Sequence, residues 1–279
     1  MSIENIPERF IKDKKANSNL FVYDFKMTTD VVKSKVNLGM NMFSFLQVGK
    51  KQVHFAGTSV AVNKKQSLLL KKGNWLWTEL LDTDAIYYCK LFFFSEKKLT
   101  DFLSKYTNNV KPYQEEVPYF VIENDDYIGA FINSLSSVTF TNHSYSDALL
   151  LLKFEEIMLY LLSKYGNQFE YYLHSLISKE ISPFKKVVES NINSNLKLEE
   201  IAFLCNMSLS TFKRHFTNEY KEPPGKWLQD KRLQKAKELL QGGQLKASDI
   251  YLDIGYNNLS NFSVAFKNKF EISPTDISK

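Results

Sequence analysis

Two pairs of phenylalanines mark the C-terminal part of the chain. Phe212 and Phe216 lie four residues apart, and so do Phe262 and Phe266. Four-residue spacing puts both members of a pair on one side of a helix, so each pair predicts a buried helix face. The opposite faces then carry mostly polar and basic side chains, which suit hydrogen bonds to base edges and contacts with phosphates. These side chains are Ser210, Thr211, Lys213 and Arg214 in the first helix, and Asn258, Ser260, Asn261, Val264 and Lys267 in the second.

The two helices belong to an internal repeat. Residues 201–208 match residues 250–257 at an offset of 49, and past the turn the offset becomes 50. Each copy predicts a short helix, a turn and a second helix. Asn206 and Gly255 supply the turns, because these residue types tolerate positive φ. The side chains predicted to cap the second helices are Ser208 in one copy and Asn257 or Asn258 in the other.

A third helix, predicted over residues 224–240, joins the two copies. One helix-turn-helix pattern is weak evidence for DNA binding, because many helical hairpins share it, but two copies at a fixed separation are much stronger evidence. Net charge agrees with this prediction, since 16 basic residues from position 179 onward exceed 12 acidic ones by four. Some basic residues of the joining helix could contact phosphates, the candidates being Lys226, Lys231, Arg232, Lys235 and Lys237.

Six stretches between residues 198 and 274 match a known domain. They are Glu200-Ile-Ala, Asn206-Met-Ser, Thr211-Phe-Lys-Arg-His-Phe, Arg232-Leu-Gln-Lys-Ala-Lys-Glu-Leu-Leu, Asp253-Ile-Gly-Tyr and Asn261-Phe-Ser-Val-Ala-Phe-Lys-Asn-Lys-Phe. In these stretches the chain resembles the DNA-binding domain of the AraC/XylS family. The resemblance implies a transcription regulator, expected to be an activator, that contacts promoter DNA and RNA polymerase. It also implies that two recognition helices enter major-groove segments about 34 Å apart, with Ser210, Lys213, Arg214, Ser260, Asn261 and Val264 facing the groove.

Three residues depart from the family pattern. Asn206 stands where glycine is commoner, which the backbone argument tolerates. Tyr251 replaces a small residue, so we expect local distortion in the second copy. Val264 stands where a polar residue is frequent, which weakens hydrogen-bond readout there and leaves methyl contacts to thymine. We therefore expect the first recognition helix to carry most of the base discrimination.

The N-terminal half reads as short strands followed by helices. The predicted strands cover residues 41–48, 52–55, 58–62, 67–70, 74–78 and 86–94, and the predicted helices cover 97–106, 146–164 and 168–177. Asn63-Lys-Lys-Gln-Ser-Leu-Leu-Leu-Lys-Lys-Gly resembles the cupin-like sensor barrels of the same family, and Leu152-Lys-Phe-Glu-Glu-Ile-Met-Leu-Tyr resembles their dimerisation region. This half looks most similar to the branch that activates type III secretion genes.

The predicted fold class is therefore α+β. A cupin-like barrel with dimerisation helices is expected over residues 1–178, and an all-α domain with two helix-turn-helix units over residues 179–279. The helix of residues 146–164 is apolar almost all round, which favours a homodimer. The barrel could respond to a small molecule or to a partner protein, or it could be inert beside a constitutive DNA-binding domain. Its aromatic strands either fill the core or line a ligand pocket.

Composition and histidine spacing argue against a membrane protein, a secreted protein and a metal-dependent enzyme. The 279 residues contain 44% hydrophobic and 24% charged residues, ordinary values for a globular chain, and two cysteines, Cys89 and Cys205. No apolar run of membrane-spanning length and no apolar signal region occur, so a cytoplasmic protein is expected. His54, His143 and His174 lack the spacing of a cupin metal site, and no nucleophile–base set stands out. We expect neither a metal nor another cofactor, and an enzyme of the cupin type is disfavoured.

Overall fold

A computed structural model describes residues 3–10, 19–55, 58–107, 118–139, 145–177, 183–194, 196–242 and 245–277. The chain divides into two compact units. The N-terminal unit holds residues 1–55 and 59–180, and the C-terminal unit holds residues 181–279. The boundary predicted between residues 178 and 179 lies outside the described residues.

The N-terminal unit contains all the described strands and four helices. The strands are β1 (Glu4–Ile6), β2 (Leu20–Met27), β3 (Val31–Leu38), β4 (Asn41–Val48), β5 (Lys50–Phe55), β6 (Thr58–Val62), β7 (Gln66–Leu70), β8 (Gly73–Leu80), β9 (Tyr87–Phe94) and β10 (Tyr119–Glu123). The helices are α1 (Glu96–Tyr106), α2 (Asp126–Thr139), α3 (Ser146–Tyr165) and α4 (Asn167–Ile177).

The described strands form two open five-stranded sheets. One sheet has the order β1-β3-β8-β5-β6 and the other the order β10-β7-β4-β9-β2. β1 runs parallel to β3. The antiparallel pairs are β3–β8, β5–β8, β2–β9, β4–β9, β4–β7 and β7–β10. The α+β class is confirmed, but the described strands do not close into the barrel that the sequence analysis expects. The two sheets instead bury their facing sides in one shared core.

The second sheet is the middle layer of the N-terminal unit. Phe43 and Phe92 belong to a core formed with α1 to α4, and the Phe92 ring lies edge-on to Phe154 of α3 at 6.4 Å. Leu91 and Phe93, which alternate with them, belong to the core shared with the first sheet. A strand that is buried on both faces reads as a continuous apolar run, which explains the sequence of β9.

An ion pair lies inside the core that the two sheets share. The Nζ of Lys51 is 2.8 Å from the Oε1 of Glu79, and their side chains are 0% and 4% exposed. The Tyr87 hydroxyl donates to the same carboxylate oxygen at 3.0 Å, and Lys51 Nζ lies 3.8 Å from the centre of the Trp77 ring. Burial, with smaller effects from Cys89 and Glu79, raises the pKa of Tyr87, so its hydroxyl stays a donor. Each buried charge therefore has direct partners.

The C-terminal unit is helical throughout its described residues. Its helices are α5 (Pro183–Ser190), α6 (Leu198–Leu204), α7 (Leu209–Tyr220), α8 (Pro224–Gln241), α9 (Ala247–Ile250), α10 (Leu259–Phe270) and α11 (Pro274–Ile277). Helix α8 begins with Pro224, a residue favoured at a helix start because it has no N–H to leave unpaired. This helix is the joining helix that the sequence predicts.

Replacing Lys51 with methionine tests the buried pair. Lys51→Met should lower the free energy of unfolding by about 3–5 kcal/mol, because it leaves the Glu79 charge buried without its cation. Urea unfolding at neutral pH measures the loss. Lys72→Met is the matched control, since Lys72 pairs with Glu96 at 2.7 Å with both side chains nearly half exposed, and it should cost at most about 1 kcal/mol. Equal losses in the two variants would contradict the prediction.

Candidate nucleic-acid interface

The sequence repeat forms two helix-turn-helix units. The first repeat consists of α6 and α7, and the second consists of α9 and α10. Asn206 and Gly255 lie in the turns with φ of +58° and +84°, as the turn argument predicts. Helix α6 has 7 residues but α9 has only 4, ending just before Tyr251. The second repeat thus departs from the first where the sequence analysis expects a distortion.

The ends of the recognition helices are a second conformational match between the repeats. Lys221 follows α7 and Glu271 follows α10, both in the left-handed conformation, with φ of +60° and +64°. Each donates its backbone N–H back to the helix, which completes the C-terminal turn. Sequence analysis misses this feature, because neither lysine nor glutamate favours positive φ.

The paired phenylalanines are core residues, as predicted. Phe212, Phe216, Phe262 and Phe266 are all 0% exposed. In the first repeat Phe216 packs against the Trp227 ring of α8 at 5.5 Å. In the second repeat the pair belongs to a cluster with α8 and α9 side chains. Because each pair anchors one side of its helix, the opposite side of α7 and of α10 faces solvent.

Side-chain caps begin both recognition helices. Ser208 Oγ accepts a bond from the Thr211 N–H at 3.2 Å, and Asn258 Oδ1 accepts one from the Asn261 N–H at 2.8 Å. Of the two caps proposed for the second repeat, Asn258 is the one that the structure contains. Its Oδ1 accepts the cap bond, and its amide N–H groups can still donate to DNA.

The exposed side of α7 carries the basic pair. Ser210, Thr211, Lys213 and Arg214 are all exposed. Ser210 and Thr211 also hydrogen-bond the Ser208 hydroxyl, at 3.0 and 2.9 Å. No ion pair holds Lys213 or Arg214 within the part of the chain that is described. Both cationic groups are therefore available to an anionic or base-edge acceptor.

The exposed side of α10 has a different chemistry. Ser260, Asn261, Val264 and Lys267 are exposed, and Val264 is 60% exposed despite its apolar side chain. Its methyl groups suit a thymine methyl rather than a hydrogen-bonding edge. Helix α7 thus exposes basic groups, whereas α10 exposes amide and methyl groups. This contrast agrees with the expectation that the first recognition helix carries most of the base discrimination, which remains a prediction.

Arg232 does not have the role that the sequence analysis considers for it. Its Nη1 donates to the Gly255 carbonyl at 3.2 Å and its Nη2 to the Ser194 carbonyl at 2.6 Å, while its Nε donates to the Ile192 carbonyl. Burial lowers the pKa of Arg232, although Tyr256 opposes the shift. A guanidinium with three carbonyl partners is not free to bind a phosphate.

The other basic residues of α8 remain nearer to solvent. Lys226 lies 3.7 Å from Glu222, and Lys235 lies 3.8 Å from Glu238, in side chains that are at least 40% exposed. Exposed ion pairs are weak, so a phosphate can replace the carboxylate. These two lysines keep their predicted capacity for phosphate contacts.

Comparisons with known proteins match both halves of the chain. Residues 41–172 match the ExsA N-terminal regulatory domain, and residues 201–279 match a helix-turn-helix domain. The thermoregulatory protein LcrF of Yersinia pestis is 29% identical over 132 residues, which are 47% of this chain and 49% of LcrF. The HTH-type transcriptional regulator ExsA of Pseudomonas aeruginosa is 26% identical over 134 residues, 48% of each chain. The chain is therefore similar to regulators of the AraC family.

The matched stretch spans about half the length of the relatives LcrF and ExsA. Among solved structures, an apo ToxT variant from Vibrio cholerae is similar at a TM-score of 0.46 and 15% identity, over 94% of this chain and 97% of ToxT. LcrF and ExsA are named as regulators rather than as enzymes.

The N-terminal unit has a cavity of about 340 Å³. Residues of both sheets line it, among them Phe25, Trp77 and Glu79, together with Phe10. Trp77 is 2% exposed, and its Nε1–H has no acceptor among the described residues. Most aromatic strand residues fill the core, which is one of the two alternatives left open by the sequence, whereas Trp77 belongs to both core and cavity.

The described residues contain few other candidates for chemistry. Both cysteines are buried, and burial raises the pKa of Cys205 to about 12. His143 lies outside the described residues. Within them, no three His, Cys, Asp or Glu side chains are grouped to hold a metal ion, and no helix is long and apolar enough to cross a membrane.

Proposed function

We propose that the chain is a sequence-specific DNA-binding regulator of transcription, and an activator. The observation that carries the proposal is the tandem repeat: two helices, each anchored by a buried phenylalanine pair, expose Lys213 and Arg214 on one and Asn261 and Val264 on the other. The similarity to regulators of the AraC family supports the same function. In this proposal residues 179–279 bind promoter DNA, and residues 1–178 control that binding.

In the proposed complex, α7 and α10 enter successive major-groove segments of one duplex face. Arg214 donates to a guanine edge or a neighbouring acceptor, and Lys213 neutralises phosphate. Ser260 and Asn261 hydrogen-bond bases in the second segment, where Val264 contacts a thymine methyl. Lys226 and Lys235 of α8 contribute to the electrostatic attraction. RNA polymerase is the partner that an activator of this family would contact.

Selection from a random library of duplexes by the full chain tests this proposal. We expect enriched duplexes to contain two preferred segments about one helical turn apart, each protected in a footprint. Affinity should fall steeply with added salt, because phosphate contacts release counterions. A chain that enriches no sequence and forms no saturable complex at low ionic strength would refute it.

We propose two alternative means of control through the N-terminal unit. The cavity beside Trp77, whose buried indole N–H has no acceptor among the described residues, supports a small amphipathic effector that offers a hydrogen-bond acceptor. The exposed apolar side chains of α3 support protein binding instead. Thermal unfolding of the full chain against a metabolite library, beside co-purification from its own cells, separates the two. An N-terminal unit that leaves DNA binding unchanged under both treatments would be inert.

Homodimerisation is part of the proposal. One side of α3 packs Phe154 and Ile157 into the core, while Leu149, Leu152 and Leu159 on the remaining surface are 41%, 62% and 39% exposed. A second copy of the chain would cover these leucines. Sedimentation of the full chain measures the association, and a monomer at micromolar concentration would remove this part of the proposal.

Truncation of Arg214 tests base readout by α7. Arg214→Ala should weaken binding to the selected duplex by about 1–3 kcal/mol while sparing a scrambled duplex, because a base contact is specific to sequence. Fluorescence titration measures both affinities. Arg9→Ala, which removes the same charge from the N-terminal unit, is the control. An equal loss on both duplexes would indicate phosphate binding by Arg214 instead.

A negative charge on α10 tests whether the second helix enters the groove. Ser260→Glu should abolish protection of the second segment, because a carboxylate among phosphates is repelled. Footprinting on the selected duplex reports each segment separately. Ser104→Glu changes the net charge equally on the exposed side of α1 and should leave the footprint intact. An unchanged footprint in Ser260→Glu would place α10 outside the groove.

A further inference from the structure

Helix α8 is held by different apolar contacts at its two ends. Near its start, the Trp227 ring packs against Tyr220 at 4.5 Å, on the first repeat. In its second half, Leu233 and Leu240 belong to the cluster that contains the phenylalanines of the second repeat. Apolar contacts resist separation of the helices but are not directional, so they do not by themselves fix the angle between the repeats.

Arg232 lies between these two sets of contacts and bonds to the backbone on both sides. Its Nε and Nη2 donate to the carbonyls of Ile192 and Ser194, in the segment that leads into α6. Its Nη1 donates to the carbonyl of Gly255, in the turn of the second repeat. Three donors of one rigid, planar group thus hold the backbone that leads into the first repeat and the turn of the second repeat in one geometry.

Gly255 allows this close approach. A Cβ on residue 255 would lie 2.9 Å from the Arg232 Cζ and 3.0 Å from the Ser194 carbonyl oxygen, both too close for an ordinary contact. The backbone of the second turn therefore packs against the guanidinium and against the segment that leads into the first repeat. Glycine at this position serves both the positive φ and the space for the arginine.

We propose that Arg232 is a positioning residue that sets the angle between α7 and α10, and so sets the spacing of the two DNA segments that the chain reads. The inference rests on the proposed DNA-binding function. It assigns spacing preference to a side chain that touches no DNA. Carbonyl oxygens, rather than carboxylates, receive its bonds, so the contact holds backbone position directly.

Duplexes with altered spacing test this role in the full chain. The probes are the selected duplex and two derivatives with one base pair inserted or deleted between the protected segments. A change of one base pair moves the second segment by about a tenth of a helical turn. The wild-type chain should bind both derivatives at least about tenfold more weakly than the selected duplex, because only one helix can then engage fully.

Arg232→Lys and Arg232→Gln are the test variants, since neither side chain can reach all three carbonyls in one plane. Each should bind the selected duplex about tenfold more weakly and should distinguish the three spacings by less than about threefold. Lys235→Met is the control on the same helix. If Lys235 contacts a phosphate, its loss weakens binding to all three duplexes by one factor and preserves the spacing preference.

The outcomes separate the two proposals. A wild-type chain that binds no duplex saturably would refute DNA binding itself. A wild-type chain that binds all three spacings equally, or an Arg232 variant that keeps the wild-type preference, would refute only the positioning role. Thermal unfolding identifies any variant that does not fold, in which case the other variant decides. The spacing preference of the wild-type chain is measured on the three duplexes alone, so this part of the test does not depend on the folding of any variant.

Discussion

Burial of two phenyl rings per recognition helix is the constraint on which the C-terminal unit depends. Helices α7 and α10 have 12 residues each, about three turns, and each anchors itself by one pair at a four-residue spacing. A helix of this length has one buried stripe, so its remaining surface is determined once the stripe is chosen. The polar side chains at positions 210, 213 and 214 face solvent because Phe212 and Phe216 cannot.

The two repeats share a backbone plan but not a surface. Positive φ recurs at the turn and again after each recognition helix, and both helices begin with a side-chain cap. The exposed sides then diverge, with two cations on α7 that have no ion-pair partner among the described residues and with Val264 among short polar residues on α10. Such divergence allows one scaffold to read two different half-segments, one through charge-assisted bonds and one through weaker amide and methyl contacts.

Sequence patterns reveal those features whose causes lie close together in the chain. The phenylalanine pairs, the turns at Asn206 and Gly255, and strands such as β4 and β9 are local patterns, and the structure agrees with them. Sheet closure depends on pairings between distant strands, and β2 and β3 are obscured by Asp24, Lys33 and other charged residues. The contacts of Arg232 could not be predicted, because its partners are backbone carbonyls, which carry no signal in residue type.

The strand register of the second sheet depends on a small number of polar contacts. In a sheet with one solvent-exposed face, a register shift of one residue exposes the apolar side chains of the shifted strand. The free-energy cost of that exposure selects the register. β9 carries mostly apolar side chains on both faces. A shift by one residue would therefore leave apolar side chains buried on both faces and would carry little penalty. Discrimination then falls to sparse polar pairs such as Ser44 with Cys89 at 3.1 Å, Lys90 with Asp24 at 2.5 Å and Ser67 with Asn124 at 2.7 Å. These few polar contacts therefore select the strand register in a core that is otherwise apolar.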